Sequence, residues 1–291
     1  GVIGYYGALQ NEKAMDEVGV VRLPSVQSVL EIKVALESIV LNQRTLLNPD
    51  NSREVRQAQY QGIDDYRKQY RQAFDVYEPL PQTVEESRQW DAFMRIIPQW
   101  VALNDEIFEM HQELDRIDIL NPDALLSHLQ RFRGDHYALE VKVADMILLG
   151  ELFEGGHDST ACAFGHWMSN FESENPELNN IIKSVHQPHN QFHQSVGQIR
   201  TALQNNNEEE AVKLFTEQMQ PAARAVFAHF DSLIETADRA EALYAQIEER
   251  TMNDATGFME QAFGHLDSVI AINKEIADHE VASAVSQSAT L

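Results

Sequence analysis

Residues 93–117 read FMRIIPQWVALNDEIFEMHQELDRI, and their apolar side chains recur at alternating steps of three and four residues. The residues on this spacing are Phe93, Ile96, Trp100, Leu103, Ile107, Met110, Leu114 and Ile117. A helix patterned in this way carries one narrow apolar seam, which packs against the seams of neighbouring helices in a left-handed bundle. Pro98 lies inside the seam, so we expect it to kink the helix or to mark its first turns.

Three further segments carry the same pattern, with breaks at residues 48–52 and 79–81. The four long helices that the pattern predicts cover about residues 10–47, 52–78, 83–118 and 236–285. Residues 121–235 separate the third helix from the fourth and carry helical patterns of their own. Those patterns predict helices over 122–153, from Ser159 to before Asn175, over 176–204, and from Glu208 through Pro221 into the fourth long helix.

These segments predict an all-α fold with two parts. Residues 1–120 and 236–291 would form an elongated four-helix bundle, and residues 121–235 would form a second helical bundle inserted between its third and fourth helices. Because successive helices alternate in direction, both termini would lie at one end and the inserted bundle at the other. Such a domain suits a position between two transmembrane helices, with the inserted bundle membrane-distal. A soluble array of six to eight helices has the same pattern and stays an alternative.

The composition narrows the possible partners and sites. Lys and Arg total 22 whereas Asp and Glu total 46, so the formal net charge is −24 and a nucleic-acid partner is disfavoured. The single cysteine excludes an internal disulfide and a zinc site built on paired cysteines. The chain has no apolar run long enough to span a membrane. Its apolar start, Gly1–Leu9, suits either the outer end of a membrane helix that lies outside this chain or an ordinary helix start.

Six of the 11 histidines lie between residues 136 and 193, and the only cysteine, Cys162, lies among them. His189 and His193 are four residues apart, so on a helix both imidazoles project from one face. A third histidine and a thiolate would complete a tetrahedral shell of three nitrogens and one sulfur, which suits Zn²⁺. The alternative is a set of exposed histidines and a small buried cysteine.

Three stretches around these residues resemble the motifs of the chemoreceptor zinc-binding (CZB) domain. Residues 135–150 (DHYALEVKVADMILLG), 157–167 (HDSTACAFGHW) and 189–193 (HNQFH) are similar to its first, second and third motifs. The zinc ligands that this resemblance implies are His136, Cys162, His189 and His193. It implies no ligand role for His166 and His186, which we expect at the surface or beside the ligands.

The remaining helices are similar in architecture to the four-helix-bundle ligand-binding region of methyl-accepting chemotaxis proteins. The stretch Leu23-Pro-Ser-Val26, followed by a long heptad helix, resembles the first helix of that region. This resemblance implies a periplasmic sensor region of an inner-membrane chemoreceptor, acting as a homodimer without catalysis, with flanking transmembrane helices outside this chain. A cytoplasmic location is the alternative, because CZB domains usually look like cytoplasmic attachments. A histidine kinase or a diguanylate cyclase is the alternative output.

The role of the metal stays open between three hypotheses. Zinc occupancy is itself the signal, or zinc keeps Cys162 a reactive thiolate for an oxidant signal, or zinc is structural. A hemerythrin-like di-iron bundle is an alternative because His136 and Glu140 form a His-x3-Glu pair, although that family has no use for Cys162. An adhesin or spacer rod that binds no metal is a further alternative.

Several single residues have two interpretations. Asn273 lies in the apolar seam of the last helix, where it either sets the register of the bundle or faces solvent at the rim. Arg44 and Arg71 either neutralise an organic-acid ligand or are exposed. The aromatic residues that either line a small-molecule cavity or belong to the core are Tyr66, Trp90 and Trp100.

Overall fold

The computed structural model describes the backbone of residues 2–289 and the side chains of residues 8–287. Throughout this part of the chain the secondary structure consists of helices and connecting loops, with no strand. The all-α prediction is therefore confirmed. The apolar start of the chain, Gly1–Leu9, for which the sequence leaves open the end of a membrane helix, lies mostly outside the described side chains.

Ten α-helices make up the described chain. In order they are α1 (Val2–Asp16), α2 (Leu23–Leu46), α3 (Arg53–Tyr77), α4 (Val84–Ile117), α5 (Pro122–Leu149), α6 (Ala163–Ser169), α7 (Pro176–Gln204), α8 (Glu208–Leu214), α9 (Gln220–Glu249) and α10 (Ala255–Ala289). Three π-helical turns join helices end to end: Glu17–Arg22 joins α1 to α2, Phe215–Met219 joins α8 to α9, and Arg250–Asp254 joins α9 to α10. One helical run therefore extends from Glu208 through Pro221 into the last helix, as the sequence predicted.

Capping residues explain why several helices begin and end where they do. The Asn121 side chain accepts a hydrogen bond from a backbone N–H three residues later (3.0 Å), and Pro122 takes the first helical position of α5. α7 begins in the same way, with Asn175 as the cap and Pro176 after it. α5 ends at Gly150, whose φ of 73° lies in the left-handed region that favours glycine.

The chain divides into two compact units. The bundle unit comprises the residues up to His111 and those from Ala245 onward, and the insert unit comprises Gln112–Tyr244. This division falls inside α4 and α9, whereas the predicted domains divide the chain at residues 120–121 and 235–236. The domain boundaries themselves stay a prediction.

The core of the bundle unit is built from the seams of α2, α3, α4 and α10. Its buried side chains include Val29, Ile32, Leu36, Ile39, Ile63, Tyr70, Tyr77, Phe93, Leu266 and Val269. Trp90 and Trp100 are buried in this core and Tyr66 packs against it, so these aromatic residues belong to the core. Arg44 and Arg71 are exposed, which agrees with the second interpretation of these two residues.

The buried seam of α4 differs from the predicted seam at four positions. The predicted positions that are only half-buried are Ile96, Leu103, Met110 and Ile117. For the first three of them, the buried position lies one residue later, at Ile97, Asn104 and His111. The predicted seam follows the apolar residue type at each step. In the structure, packing against three neighbouring helices instead buries the positions that share one helix face with Trp100, Ile107 and Leu114, whether they are apolar or polar. α4 also begins at Val84, so Pro98 does not mark its first turns.

Asn273 is fully buried in α10, so the interpretation that it faces solvent is wrong. Its side-chain N–H donates to the carboxylate of Glu86 (2.7 Å), and its carbonyl oxygen accepts from Arg22 (3.0 Å). A buried amide needs such partners because an unpaired polar group in a core is costly. Asn273 therefore joins α10, the last helix, to α4 and to the continuous run of α1, the π-helical turn Glu17–Arg22 and α2, which we call the first helix.

Candidate metal centre

Four side chains of the insert unit converge on one point in its interior. His136 comes from α5, His189 and His193 come from α7, and Cys162 lies immediately before α6. One ligand atom from each residue, a ring nitrogen or Sγ, lies within 4.8 Å of the other three. The three imidazoles are buried and the cysteine is partly exposed. The structure thus brings together all four residues that the motifs implied as ligands.

Cys162 is positioned by the backbone around it. It is the N-cap of α6, and its Sγ accepts a hydrogen bond from the N–H of Gly165 at 3.1 Å. A β-carbon at position 165 would overlap with the carbonyl oxygen of Ser159, which explains why the second motif needs a glycine here. Sγ lies 3.2 Å from Nε2 of His189. The loop and the start of α6 therefore hold the thiol against the imidazoles.

Backbone carbonyl groups fix the orientation of two of the rings. Nδ1 of His136 lies 2.7 Å from the carbonyl oxygen of Phe132, and Nδ1 of His193 lies 2.7 Å from that of Gly156. Because a carbonyl oxygen only accepts, each Nδ1 must carry the proton, and each Nε2 then presents a lone pair. Both Nε2 atoms are buried and have no hydrogen-bond partner among the described residues. Such orientation of a histidine through its second nitrogen is typical of metal ligands.

Aromatic rings surround the four side chains and account for their burial. The His136 ring packs against Phe192 and Phe230, at 5.2 and 6.1 Å between ring centroids, and Phe164 packs against Phe230 at 4.7 Å. Trp167 of the second motif stacks on Phe164 and belongs to this aromatic wall. Phe192 and Phe230 were not predicted as site residues. Phe192 directly precedes a ligand position in the sequence, but nothing local marks Phe230.

This burial sets the protonation states of the four groups. It lowers the pKa of His136 from 6.5 to about 4 and that of His189 to about 3, and it also lowers the pKa of His193. All three imidazoles are therefore neutral at pH 7. Burial raises the pKa of the Cys162 thiol, which the N–H of Gly165 counteracts only in part. Three neutral nitrogen donors and one thiol that can lose its proton form a donor set that fits zinc.

The other candidate groups lie apart from this set. His166 and His186 are exposed and do not contribute to it, in agreement with the motifs. Glu140, which the di-iron alternative needs, also lies outside it, with Gln220 hydrogen-bonded to its carboxylate and Arg224 nearby. Among the described residues, the group of possible ligands contains no carboxylate. The donor set therefore lacks the carboxylate that the di-iron alternative requires.

Comparison with known families agrees with this geometry. Residues 136–200 match the family model described as the chemoreceptor zinc-binding domain, and this range includes all four convergent side chains. Residues 1–116 match the family model described as a four helix bundle sensory module for signal transduction. No curated protein and no solved structure matched the chain.

The predicted periplasmic location is wrong, because the CZB domain that residues 136–200 match is a cytoplasmic domain. Helix order and an apolar chain start do not depend on the compartment, so neither property supports a periplasmic location. None of the helices in the described chain has the length and apolar character needed to cross a bilayer.

Both matched families belong to sensory signalling rather than to enzymes. The match at residues 1–116 covers the first three helices of the bundle unit, and the match at residues 136–200 covers the centre of the insert unit. The chain therefore combines a four-helix-bundle sensory module with a chemoreceptor zinc-binding domain.

Proposed function

We propose that this chain is the sensor region of a signalling protein and binds one zinc ion in its insert unit. The ligand atoms would be Nε2 of His136, His189 and His193 and Sγ of Cys162. The observation that carries this proposal is the convergence of the four ligand atoms within 4.8 Å, with two buried Nε2 atoms that have no other partner. A buried acceptor without a partner is costly, and a metal ion at this point would provide a partner for both Nε2 atoms.

The chain's own residues would keep the site selective. The carbonyl groups of Phe132 and Gly156 hold the Nδ1 protons, so only Nε2 is available to a metal. The N–H of Gly165 supports negative charge on the Cys162 sulfur. Zinc, when bound, supplies the positive charge that keeps this sulfur a thiolate. Four protein ligands complete a tetrahedral shell and leave no position for a reactive water, which favours a sensory or structural role over hydrolysis.

Elemental analysis of the purified chain tests the ligand assignment. We expect about one zinc per wild-type chain and a loss of zinc in the Cys162→Ser and His189→Ala variants. His186→Ala is the matched control, because His186 lies on the same helix but is exposed and outside the site. Zinc content that is unchanged in both ligand variants would refute the assignment. Iron with a visible absorption band would instead support the di-iron alternative.

Zinc has three candidate roles: it is the signal, it keeps Cys162 ready for an oxidant signal, or it is structural. Two treatments distinguish these roles. A zinc chelator and hydrogen peroxide are applied separately, and hydrogen exchange of α10 is followed. A change with chelator alone supports zinc occupancy as the signal, and a change with peroxide that requires Cys162 supports an oxidant signal. If neither treatment alters α10, zinc is structural, and chelation only destabilises the insert unit. The helical run from α8 to α10 is the proposed route, because it carries Phe230 beside His136.

We also infer that the chain forms a homodimer through its first helix. Five apolar side chains on the outside of this helix are between 46% and 65% exposed. These residues are Val20, Leu23, Leu30, Val34 and Leu41, and they lie on one heptad spacing opposite the core seam. An exposed apolar stripe of this kind marks an interaction surface, and a second copy offers the same stripe.

Sedimentation velocity tests the dimer. The double variant Leu30→Glu/Val34→Glu places two charges on the stripe and should sediment as a monomer. Val76→Glu is the control, since Val76 is a similarly exposed apolar residue on α3 and is not part of the stripe. The dimer proposal fails if the wild-type chain is monomeric at micromolar concentration or if the double variant stays dimeric.

A further inference from the structure

Four buried side chains of the bundle unit form a polar network that involves the first helix, α3, α4 and α10. They are Arg22, Tyr77, Glu86 and Asn273. The Arg22 guanidinium donates to Glu86 (2.9 Å) and to Asn273 (3.0 Å), Asn273 donates to Glu86 (2.7 Å), and the Tyr77 hydroxyl donates to Glu86 (2.9 Å). The network thus joins the first helix, through Arg22, and α10, through Asn273, to the two ends of the turn between α3 and α4.

Every charge in this network has a partner. The Glu86 carboxylate is fully buried and also accepts a hydrogen bond from the backbone N–H of Thr83, which forms a capping box at the start of α4. Arg22 also pairs with Glu17 at 2.7 Å. A buried ion pair adds little net stability relative to apolar side chains, because desolvation of both charges offsets their attraction. Its best-attested contribution is to select one register among similar packings.

The apolar seams in the rest of the bundle unit do not select a register strongly. α10 places Met259, Ala262, Leu266 and Val269 in the core at heptad spacing, so a shift by one heptad again puts apolar residues against apolar residues. The same shift would place Leu266 where Asn273 now bonds with Arg22 and Glu86. Two buried charges would then lose a partner. Such a loss is far more costly than a change of apolar contacts.

The first helix contains a special turn that places Arg22 in this network. A π-helical turn covers Glu17–Arg22, and the buried positions Ala14 and Arg22 are eight residues apart, one more than a heptad. From Arg22 onward the regular seam continues through Ser25, Val29 and Ile32. The extra residue of the π turn therefore brings Arg22 into phase with the core. π turns are rare and are found mostly at functional positions.

We propose that the Arg22–Glu86–Asn273 network is a register lock, which holds the first and last helices of the bundle unit at one axial position relative to the turn between α3 and α4. Movement of the last helix would then occur in discrete steps, because at intermediate positions the buried Arg22 and Glu86 lose their hydrogen bonds to Asn273. This proposal is independent of zinc binding. It concerns residues of the bundle unit only, so it holds or fails separately from the metal site.

Distance measurements between α4 and α10 in the full chain test the lock. Spin labels are attached through ketone-bearing amino acids at Gln99 and Asp278, two exposed positions, so Cys162 stays untouched. The triple variant Arg22→Met/Glu86→Met/Asn273→Leu replaces the network by apolar side chains. In the wild-type chain we expect a single distance between the two labels. In the variant we expect a second population whose label-to-label distance differs by about 5 Å for a shift of one helical turn, or by about 10 Å for a shift of one heptad. The thermal midpoint of unfolding should be unchanged or higher.

The control removes an ion pair that joins α2 to α10 outside the core. Lys33 of α2 pairs with Asp267 of α10 at the surface, so Asp267→Asn should keep a single distance between the labels. A single, unchanged distance in the triple variant, whatever its stability, would overturn the proposal and leave the network a structural contact. If the triple variant does not fold, Asn273→Leu alone keeps the ion pair and frees only α10. A second distance then supports the lock, and a single one overturns it.

Discussion

The imidazole of His111 is fully buried in α4, and neither ring nitrogen has a hydrogen-bond partner among the described residues. Burial, aided by the positive charge of nearby Arg56, lowers the pKa of His111 from 6.5 to about 3. The folded bundle unit therefore holds a neutral imidazole at every pH above about 3. We predict that this residue makes the bundle unit sensitive to acid.

The sign and size of the effect follow from proton linkage. The unfolded chain binds a proton at His111 once the pH falls below about 6.5, while the folded chain does not, so the free energy of unfolding decreases with falling pH. The contribution is fully present above pH 6.5 and is lost progressively down to about pH 3. At about 1.4 kcal/mol per pH unit, the loss between pH 7 and pH 5 is about 2 kcal/mol.

Urea unfolding followed by circular dichroism at pH 7 and pH 5 measures this loss. His111→Leu should reduce the decrease in unfolding free energy between the two pH values by about 2 kcal/mol. Protonation of the histidines in the insert unit contributes equally to both proteins, so it cancels in the comparison. His279→Gln, which changes an exposed histidine, should leave the decrease as in the wild-type chain. An equal decrease in the His111→Leu variant and the wild-type chain would refute the reasoning.

Three further predictions concern the zinc site and the core. Gly165→Ala should reduce zinc content, because the added β-carbon displaces the loop that positions Cys162. Gly134→Ala is the control and should leave zinc content unchanged, because there is free space around position 134 in α5. Zinc binding at pH 7 should release about one proton, from the thiol alone, and calorimetry in two buffers that shows three protons or none would contradict this. Leu36→Ala should lower the unfolding free energy by about 2–5 kcal/mol and Val76→Ala by less than about 0.5 kcal/mol, as urea titration can show.

The helices and the four convergent side chains could be predicted because their information is local. Each long helix carries its own heptad seam, and each motif keeps the residue type of its ligand next to the glycine, cap or turn that positions it. Cys162 is an example, because Gly165 three residues later explains both the position of the thiol and the start of α6. No partner distant in sequence is needed to recognise either feature.

The burial of Arg22, Glu86 and His111 could not be predicted, because the residues that surround them are distant in sequence. Arg22 is buried only because the hairpin of α3 and α4 brings Glu86, 64 residues later, against it. His111 is buried because three neighbouring helices select the phase of α4, although the apolar pattern favoured Met110. The π turn that ends at Arg22 adds one residue to the helix. The residue types in Glu17–Arg22 do not indicate such a turn.

The order of the two units along the chain has a consequence for synthesis on the ribosome. The insert unit is one uninterrupted segment, Gln112–Tyr244, whereas the bundle unit is assembled from two separated segments. Because domains fold as units while they emerge, the insert unit can be complete before α10 exists. Translation of residues 112–254 takes roughly 7–30 s at ordinary rates of elongation. During that interval α10 is not available to cover the apolar seams of the first helix, α3 and α4, so part of the bundle core stays exposed to water until the last helix emerges.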